Sequence, residues 1–357
     1  MKTAHKPTSV RSLARKAASK YLGTVIRPTP LRTALKTLRN SPEALSDYLY
    51  DSTRYFRYSS TFYYPSRENR LSRITAMYHS VERGLALPEP RPGFGEENMS
   101  LLMEAIREYA RRFGPDESLG PAIGSLEAYL QFHVRIGVEP PNRDKIQRLV
   151  DEMTPIRRVE RGGGTIEITR QSIQDATAGV GPEFFLKRHS IRQYSDEEVS
   201  AEDIDAAIAI AQKTPAVCNR QECQVRVVHD RALMDKMLEI QESKGFNHQI
   251  NKLLIVTNTL TAFYGMNERN QCWIDGGLFA MSLVYGLHSR GLGTCFLNWS
   301  KSSPRDKAMR KLLKLPPQEV IIVLISVGHL PQTLDVARSA RPPLDTVRRH
   351  IYSESEV

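Results

Sequence analysis

The spacing of apolar residues changes along the chain. Between residues 66 and 136 they recur every three or four positions, the interval that gathers side chains on one helix face. Leu71, Ile74, Tyr78, Val81 and Leu85 predict a first helix, stopped by the proline-rich run 88–92. Leu101, Leu102, Ala105, Ile106 and Tyr109 predict a second, opened by Glu96 and Glu97, whose charges suit the positive end of a helix dipole. Leu126, Tyr129, Leu130 and His133 mark a third over 121–136. Beyond residue 190 helix and strand alternate: helices over 199–213 and 232–242, strands over 224–228, 253–257, 291–297 and 320–327. The run 272–289 is apolar on nearly all sides through Ile274, Leu278, Met281, Leu283 and Leu287, which predicts a central, buried helix. Gly162-Gly163-Gly164 reads as a turn at a domain boundary, and Thr165 to Thr169 alternates like a short strand. The expected class is α+β, preceded by a mainly α-helical domain.

Length and charge divide the chain further. At 357 residues it is longer than one typical domain. The net charge of +10 resides in residues 1–40, which hold ten Lys or Arg and no Asp or Glu. The expected organisation is a basic arm over 1–40, a helical domain over 41–160 and an α+β domain over 161–357. In the arm, Val10, Leu13, Ala17 and Tyr21 fall on one helix face. It suits a solvated tail, contact with an anionic surface or polyanion, or an organellar presequence. Nothing points to a specific nucleic acid. No run nears the ~18 apolar residues of a membrane span, so the expected location is cytoplasmic, with the arm able to rest at a membrane. Cys218, Cys223, Cys272 and Cys295 show neither CxxC nor zinc-ligand spacing, so reduced thiols and no metal are expected.

Chemistry concentrates in two stretches. Arg188-His189-Ser190-Ile191-Arg192 sets two guanidinium groups and small polar side chains together, which suits a phosphate. Thr214 to Gln221 breaks a helical run with Pro215 and then offers Cys218, Asn219 and Gln221, groups suited to a heteroaromatic ring edge. Together they suggest a phosphorylated cofactor with a polar ring system. The glycine triplet lacks the sequence of a P-loop or of a dinucleotide fingerprint.

These two stretches, with Gly291-Leu292-Gly293-Thr294-Cys295, stand in the order and spacing of the nitroreductase family of FMN-dependent oxidoreductases, which the chain resembles over roughly residues 180–350. It looks closest to nitroreductase-like proteins with a helical N-terminal extension, often found with polysaccharide biosynthesis genes. That extension is matched by Tyr78 to Leu85 and by Arg91-Pro92-Gly93-Phe94-Gly95. The resemblance implies a nitroreductase-like FMN-binding domain with a central antiparallel or mixed sheet flanked by helices. It also implies a homodimer with each flavin between subunits, and a ping-pong cycle in which NAD(P)H reduces FMN and an electron-poor acceptor then takes the hydride. Arg188 and Arg192 would hold the phosphate with Arg341, assisted by Arg338. His189, Ser190, Pro215, Ala216, Cys218, Asn219 and Gln221 would meet the ribityl chain and ring, and Thr294, Cys295 and Leu297 would border the ring near N5. No side chain is required as the catalytic group, since the flavin carries the hydride.

Two departures stand out: Ala216 where many relatives have serine, and Glu222-Cys223 where many have proline-tryptophan. Trp299 is open between stacking on the flavin or substrate and lining a dimer interface, and Gly276-Gly277 between a dimer contact and tight packing in one subunit. His79, Glu82 and Arg83 share a helix face and read either as an acid/base group or as a surface ion pair with a packed histidine. Cys218 as a nucleophile has no histidine beside it in sequence. The rival to an enzyme is a flavin-binding accessory module of a polysaccharide-assembly or membrane-associated complex.

Overall fold

The computed structural model describes residues 30–62, 66–154 and 162–354, with side chains from residue 41. Residues 1–29, including the apolar face expected in the basic arm, lie outside the described residues. The chain divides into two compact units, 1–52 and 53–357. The described part of the first is helical, within α1 (Pro30–Tyr58), whose last residues belong to the second unit. Among the described residues no helix is long and apolar enough to cross a membrane.

The second unit begins with a helical layer of α2 (Arg67–Leu85), α3 (Glu96–Phe113), α4 (Gly120–Ile136) and α5 (Arg143–Met153). Its core gathers the expected stripes: Ile74, Tyr78 and Val81 meet Leu102, Ile106 and Tyr109, and Leu126 and Tyr129. Ser66 caps α2, accepting from Asn69 N at 3.1 Å while Asn69 Oδ1 accepts from Ser66 N at 3.3 Å. The Asn69 amide also donates to the Thr261 carbonyl at 2.9 Å, tying this layer to the sheet that follows.

The glycine triplet packs closely on α4: a Cβ on Gly163 would lie 1.9 Å from the Pro121 carbonyl oxygen and 2.4 Å from Ser125 Oγ. One expectation fails here. Residues 165–169 form no strand: Ile166 and Ile168 are 86% and 64% exposed, and the chain enters α6 (Arg170–Thr177). Alternation makes a strand only where a neighbouring edge accepts its hydrogen bonds.

After α7 (Pro182–Leu186) come α8 (Ala201–Ala211), β1 (Cys223–Val228), α9 (Arg231–Gln241), β2 (Lys252–Thr259), α10 (Gln271–Ser289), β3 (Leu292–Asn298), α11 (Ser303–Leu313) and β4 (Glu319–His329). The four strands form one antiparallel sheet in the order β1-β2-β4-β3, with Val225 opposite Val256, Ile255 opposite Leu324 and Cys295 opposite Ser326. Its β2 run is continuously apolar because helices cover both faces. Leu253 and Ile255 join a core with residues of α9 and α11, while Leu254 and Val256 join one with α8 and α10.

The all-round apolar helix is buried on one side only within this chain. Phe279, Ala280, Leu283, Val284 and Leu287 of α10 are buried, while Trp273, Ile274 and Leu278 are 44%, 53% and 49% exposed. The adjacent glycines have different roles. A Cβ on Gly276 would strike Ile322 at 2.6 Å, whereas one on Gly277 would meet nothing within 4 Å.

Candidate functional site

Residues 188–192 run beside the start of β3. Ser190 bridges Thr294 in parallel, and Ile191 N donates to the Thr294 carbonyl at 2.8 Å. Buried Ile191 anchors the segment, as does Tyr194, whose hydroxyl lies 2.8 Å from Ser326 Oγ. Arg188, His189 and Ser190 are half-buried and Arg192 is exposed. Among the described residues neither arginine has a carboxylate partner, so both charges are available to an anion. Burial raises the Cys295 thiol above its ordinary range, and Arg192 and Arg188 work against that rise. Thr294, Cys295 and Leu297 are buried, with Cys295 and Leu297 in the sheet core, so this strand offers a ligand its backbone.

The other stretch is strained and pinned. Cys218, Asn219 and Gln221 have φ of 51°, 54° and 51°, in the left-handed region that costs non-glycine residues roughly 1–3 kcal/mol each. Arg220 holds that geometry. Its buried guanidinium donates to the Ala262 carbonyl at 2.7 Å, pairs with both Glu268 oxygens at 2.9 and 2.8 Å, and lies over the Tyr264 ring at 4.7 Å. Burial opposes its charge, but Glu268 outweighs burial and the pKa is raised. Gln221 Nε2 donates to Asn219 Oδ1 at 2.8 Å, which leaves the Asn219 amide nitrogen and the Gln221 carbonyl oxygen to face a ligand.

The two stretches are fastened at opposite ends of α10. Val217 N donates to Asp275 Oδ2 at 3.0 Å, near the helix start, and His288 Nε2 donates to the Phe184 carbonyl at 2.9 Å, near its end. Thirteen residues of helix, about 20 Å at 1.5 Å each, separate those anchors.

Residues 186–329, from just before the arginine segment to the end of β4, match the nitroreductase family. This stretch is a nitroreductase-family domain. Among curated relatives, an Archaeoglobus fulgidus protein carrying the provisional name NADH dehydrogenase/NAD(P)H nitroreductase is 26% identical over 147 residues, 40% of this chain and 80% of that one. The Bacillus subtilis FMN reductase [NAD(P)H] is 25% identical over 169 residues, 43% of this chain and 65% of that one. Among solved structures, an FMN-dependent nitroreductase from Clostridium difficile is similar over 48% of this chain and 98% of that one, at 24% identity and a TM-score of 0.40.

The nitroreductase-family domain has a pocket where its loop meets α8, β1 and α10, with about 100 Å³ open to water-sized molecules. Pro215, Ala216 and Gln221 line it, together with Glu222, Cys223 and Asp275. Glu222 is 7% exposed, and among the described residues neither carboxyl oxygen has a hydrogen-bond partner of normal geometry. Burial first, and then the neighbouring Asp275, push it up to about 8. Burial likewise pushes the Cys223 thiol well above its ordinary range.

Other expected residues are placed apart. Arg338 and Arg341 stand on the exposed C-terminal tail, where Arg341 donates to the Ser339 carbonyl. Trp299 packs against the sheet core and donates its indole N–H to Asp306 at 2.9 Å, so it is engaged within its own chain. In the helical layer, His79 Nδ1 lies 3.1 Å from Glu82 Oε2, and Glu82 Oε1 accepts from Ser125 Oγ at 3.2 Å and from Gly164 N at 3.1 Å. Glu82 therefore fastens the glycine turn to two helices. Arg83 is exposed. Sequence reasoning assigned no role to Arg220, Glu222 or Asp275. Their signals were an arginine inside the amide loop, a carboxylate where relatives have proline, and one acid in an apolar helix.

Proposed function

We propose that this chain is an FMN-dependent oxidoreductase that takes reducing equivalents from NAD(P)H and passes them to an electron-poor acceptor in a ping-pong cycle. The names of its relatives, FMN reductase and NAD(P)H nitroreductase, point the same way. The observation that carries the reading is the pairing of two arginines beside β3, without a carboxylate partner among the described residues, with a strained amide loop, both within the family match.

The residues present fit FMN. Arg188 and Arg192 supply fixed cations for its phosphate, and charge-assisted contacts of that kind are the strong ones. His189 and Ser190 stand beside them for the ribityl hydroxyls. Asn219 and Gln221, bonded to each other, turn one donor and one acceptor toward the pyrimidine edge, with Pro215, Ala216 and Cys218 alongside. The backbone of Thr294, Cys295 and Leu297 borders the ring, and Arg338 and Arg341 close on the phosphate from a tail. FMN supplies the hydride chemistry when bound.

Because the two stretches are anchored toward opposite ends of α10, each flavin in this reading takes its phosphate contacts from one chain and its amide-loop contacts from the other. The functional unit in this reading is a homodimer, with the exposed Trp273, Ile274 and Leu278 face of α10 against its counterpart. The domain limits of 41–160 and 161–357, a cytoplasmic location, contact of the basic arm with an acidic surface, and a place in polysaccharide biosynthesis complete the proposal.

The test is anaerobic titration of the purified protein with NADPH and NADH. Flavin absorbance that bleaches with either, and returns when a quinone is added, is the expected result. A colourless protein whose melting temperature FMN leaves unchanged would overturn the reading.

A further inference from the structure

We propose that Glu222 and Asp275 hold one proton between them and deliver it, through the pocket they line, to the acceptor that receives the hydride. This deepens the proposed oxidoreductase function and rests on it.

The two carboxyl groups are not equivalent. Asp275 is fixed by two donors, Val217 N at 3.0 Å and Gln271 Nε2 at 2.8 Å. Glu222 is more than nine-tenths buried, and among the described residues neither of its oxygens has a hydrogen-bond partner of normal geometry; its own backbone N–H and Arg220 favour the charged form but are outweighed by burial and Asp275. Glu222 and Asp275 line the same pocket, and both carboxyls are acceptors when ionised, so a hydrogen bond between them requires a proton on one. Ionising both would place two like charges together in a buried site. The nearby cation, Arg220, is already paired with Glu268 and offsets little. Cys223 from β1 and Cys272 from α10 are the neighbouring thiols, and α8 and the residue after it contribute only neutral Ile208 and Gln212 to the pocket.

Position gives this proton a use. Glu222 follows Gln221 directly, and the pocket is walled by Pro215, Ala216 and Gln221, three of the proposed ring contacts. Its open volume of about 100 Å³ has room for water to carry a proton to that edge. An acid held near neutrality is the kind that transfers a proton efficiently at physiological pH. In the step, the Glu222 O–H bond breaks and its electron pair stays on the carboxylate. The proton bonds to an oxygen of a quinone-type acceptor, which also receives the hydride first supplied by NAD(P)H and so becomes the hydroquinone. A proton taken up from solvent and relayed by water in the pocket then reprotonates Glu222.

Glu222→Gln keeps the shape and a donor toward Asp275 but has no proton to give. Infrared difference spectra of flavin-free full-length protein, wild type minus Glu222→Gln, should show a protonated-carboxyl band at pH 7 that disappears as pH rises through about 8. Asp275→Asn removes the like charge and should move that disappearance to lower pH. In stopped-flow experiments on the flavin-loaded protein, reduction by NAD(P)H should be unchanged in Glu222→Gln. Reoxidation by benzoquinone should slow about a hundredfold and lose its pH dependence. A missing band at pH 7, or a band that Asp275→Asn leaves in place, would overturn the shared proton. A normal band with normal reoxidation would overturn the delivery step. If the chain holds no flavin, the delivery step falls with the proposed function, while the infrared result still decides the shared proton.

Discussion

Among the described residues Arg188 and Arg192 have no carboxylate against them, and their backbone is fixed by the Ser190 to Thr294 bridge. Each charge-assisted contact to a phosphate is worth about 1.5–3 kcal/mol. Arg188→Ala with Arg192→Ala should therefore weaken FMN binding by two orders of magnitude or more while leaving the melting temperature of the flavin-free chain nearly unchanged; equilibrium dialysis checks the first and calorimetry the second. Arg220 is the opposite case, a buried charge whose loss leaves Glu268 unpaired. Arg220→Leu should cost about 3–5 kcal/mol of stability, read by urea denaturation. Glu222 gives stability a pH dependence. Its folded pKa is raised to about 8 from an ordinary 4.5, so the folded chain holds a proton that the unfolded chain releases between those values. Its contribution is fully present below pH 4.5 and is lost as pH rises through about 8. The slope is at most about 1.4 kcal/mol per pH unit. Glu222→Gln should lose that slope in melting curves taken from pH 5 to 9. The charged half of the proposed site is written in the sequence, because clustered arginines suit an anion. The roles of Arg220 and Asp275 are not, because burial and pairing depend on partners dozens of residues away in sequence.

Among the elements, periodicity succeeded where one face meets a core. The stripes Leu71 to Leu85 and Leu101 to Tyr109 became α2 and α3, and the continuous apolar run of β2 became a strand covered on both faces. It failed at Thr165 to Thr169, where alternation has no sheet edge to join. It also passed over α11, whose sequence is mostly polar, and α1, where Pro42 inside the helix reads as a breaker. Boundaries follow caps more closely than apolar spacing. Ser66→Ala removes the oxygen that accepts from Asn69 N and should cost about 1 kcal/mol, measurable by thermal melting. Apolar count gave α10 its existence but not its orientation: one side packs in the chain, and the side bearing Trp273, Ile274 and Leu278 is exposed.

At the scale of the whole molecule, charge and cofactor site are separate. Residues 1–29 hold seven of the ten basic residues of the arm and none of the proposed flavin contacts. Their deletion should leave flavin content and NAD(P)H oxidation intact. Binding to acidic vesicles should fall with the deletion, and in the full chain it should weaken as salt rises past the ~8 Å screening length of physiological buffer. Sedimentation with vesicles checks both. The central claim is that each flavin is held between two copies of the chain. Gly277 is the position to test it, because a Cβ there meets nothing within 4 Å in its own chain. Gel filtration with light scattering and flavin absorbance on one run measures mass and cofactor together. The wild type should elute as a dimer with one FMN per chain, and Gly277→Leu as a folded monomer without flavin. A wild-type monomer carrying a full complement of FMN would contradict the account.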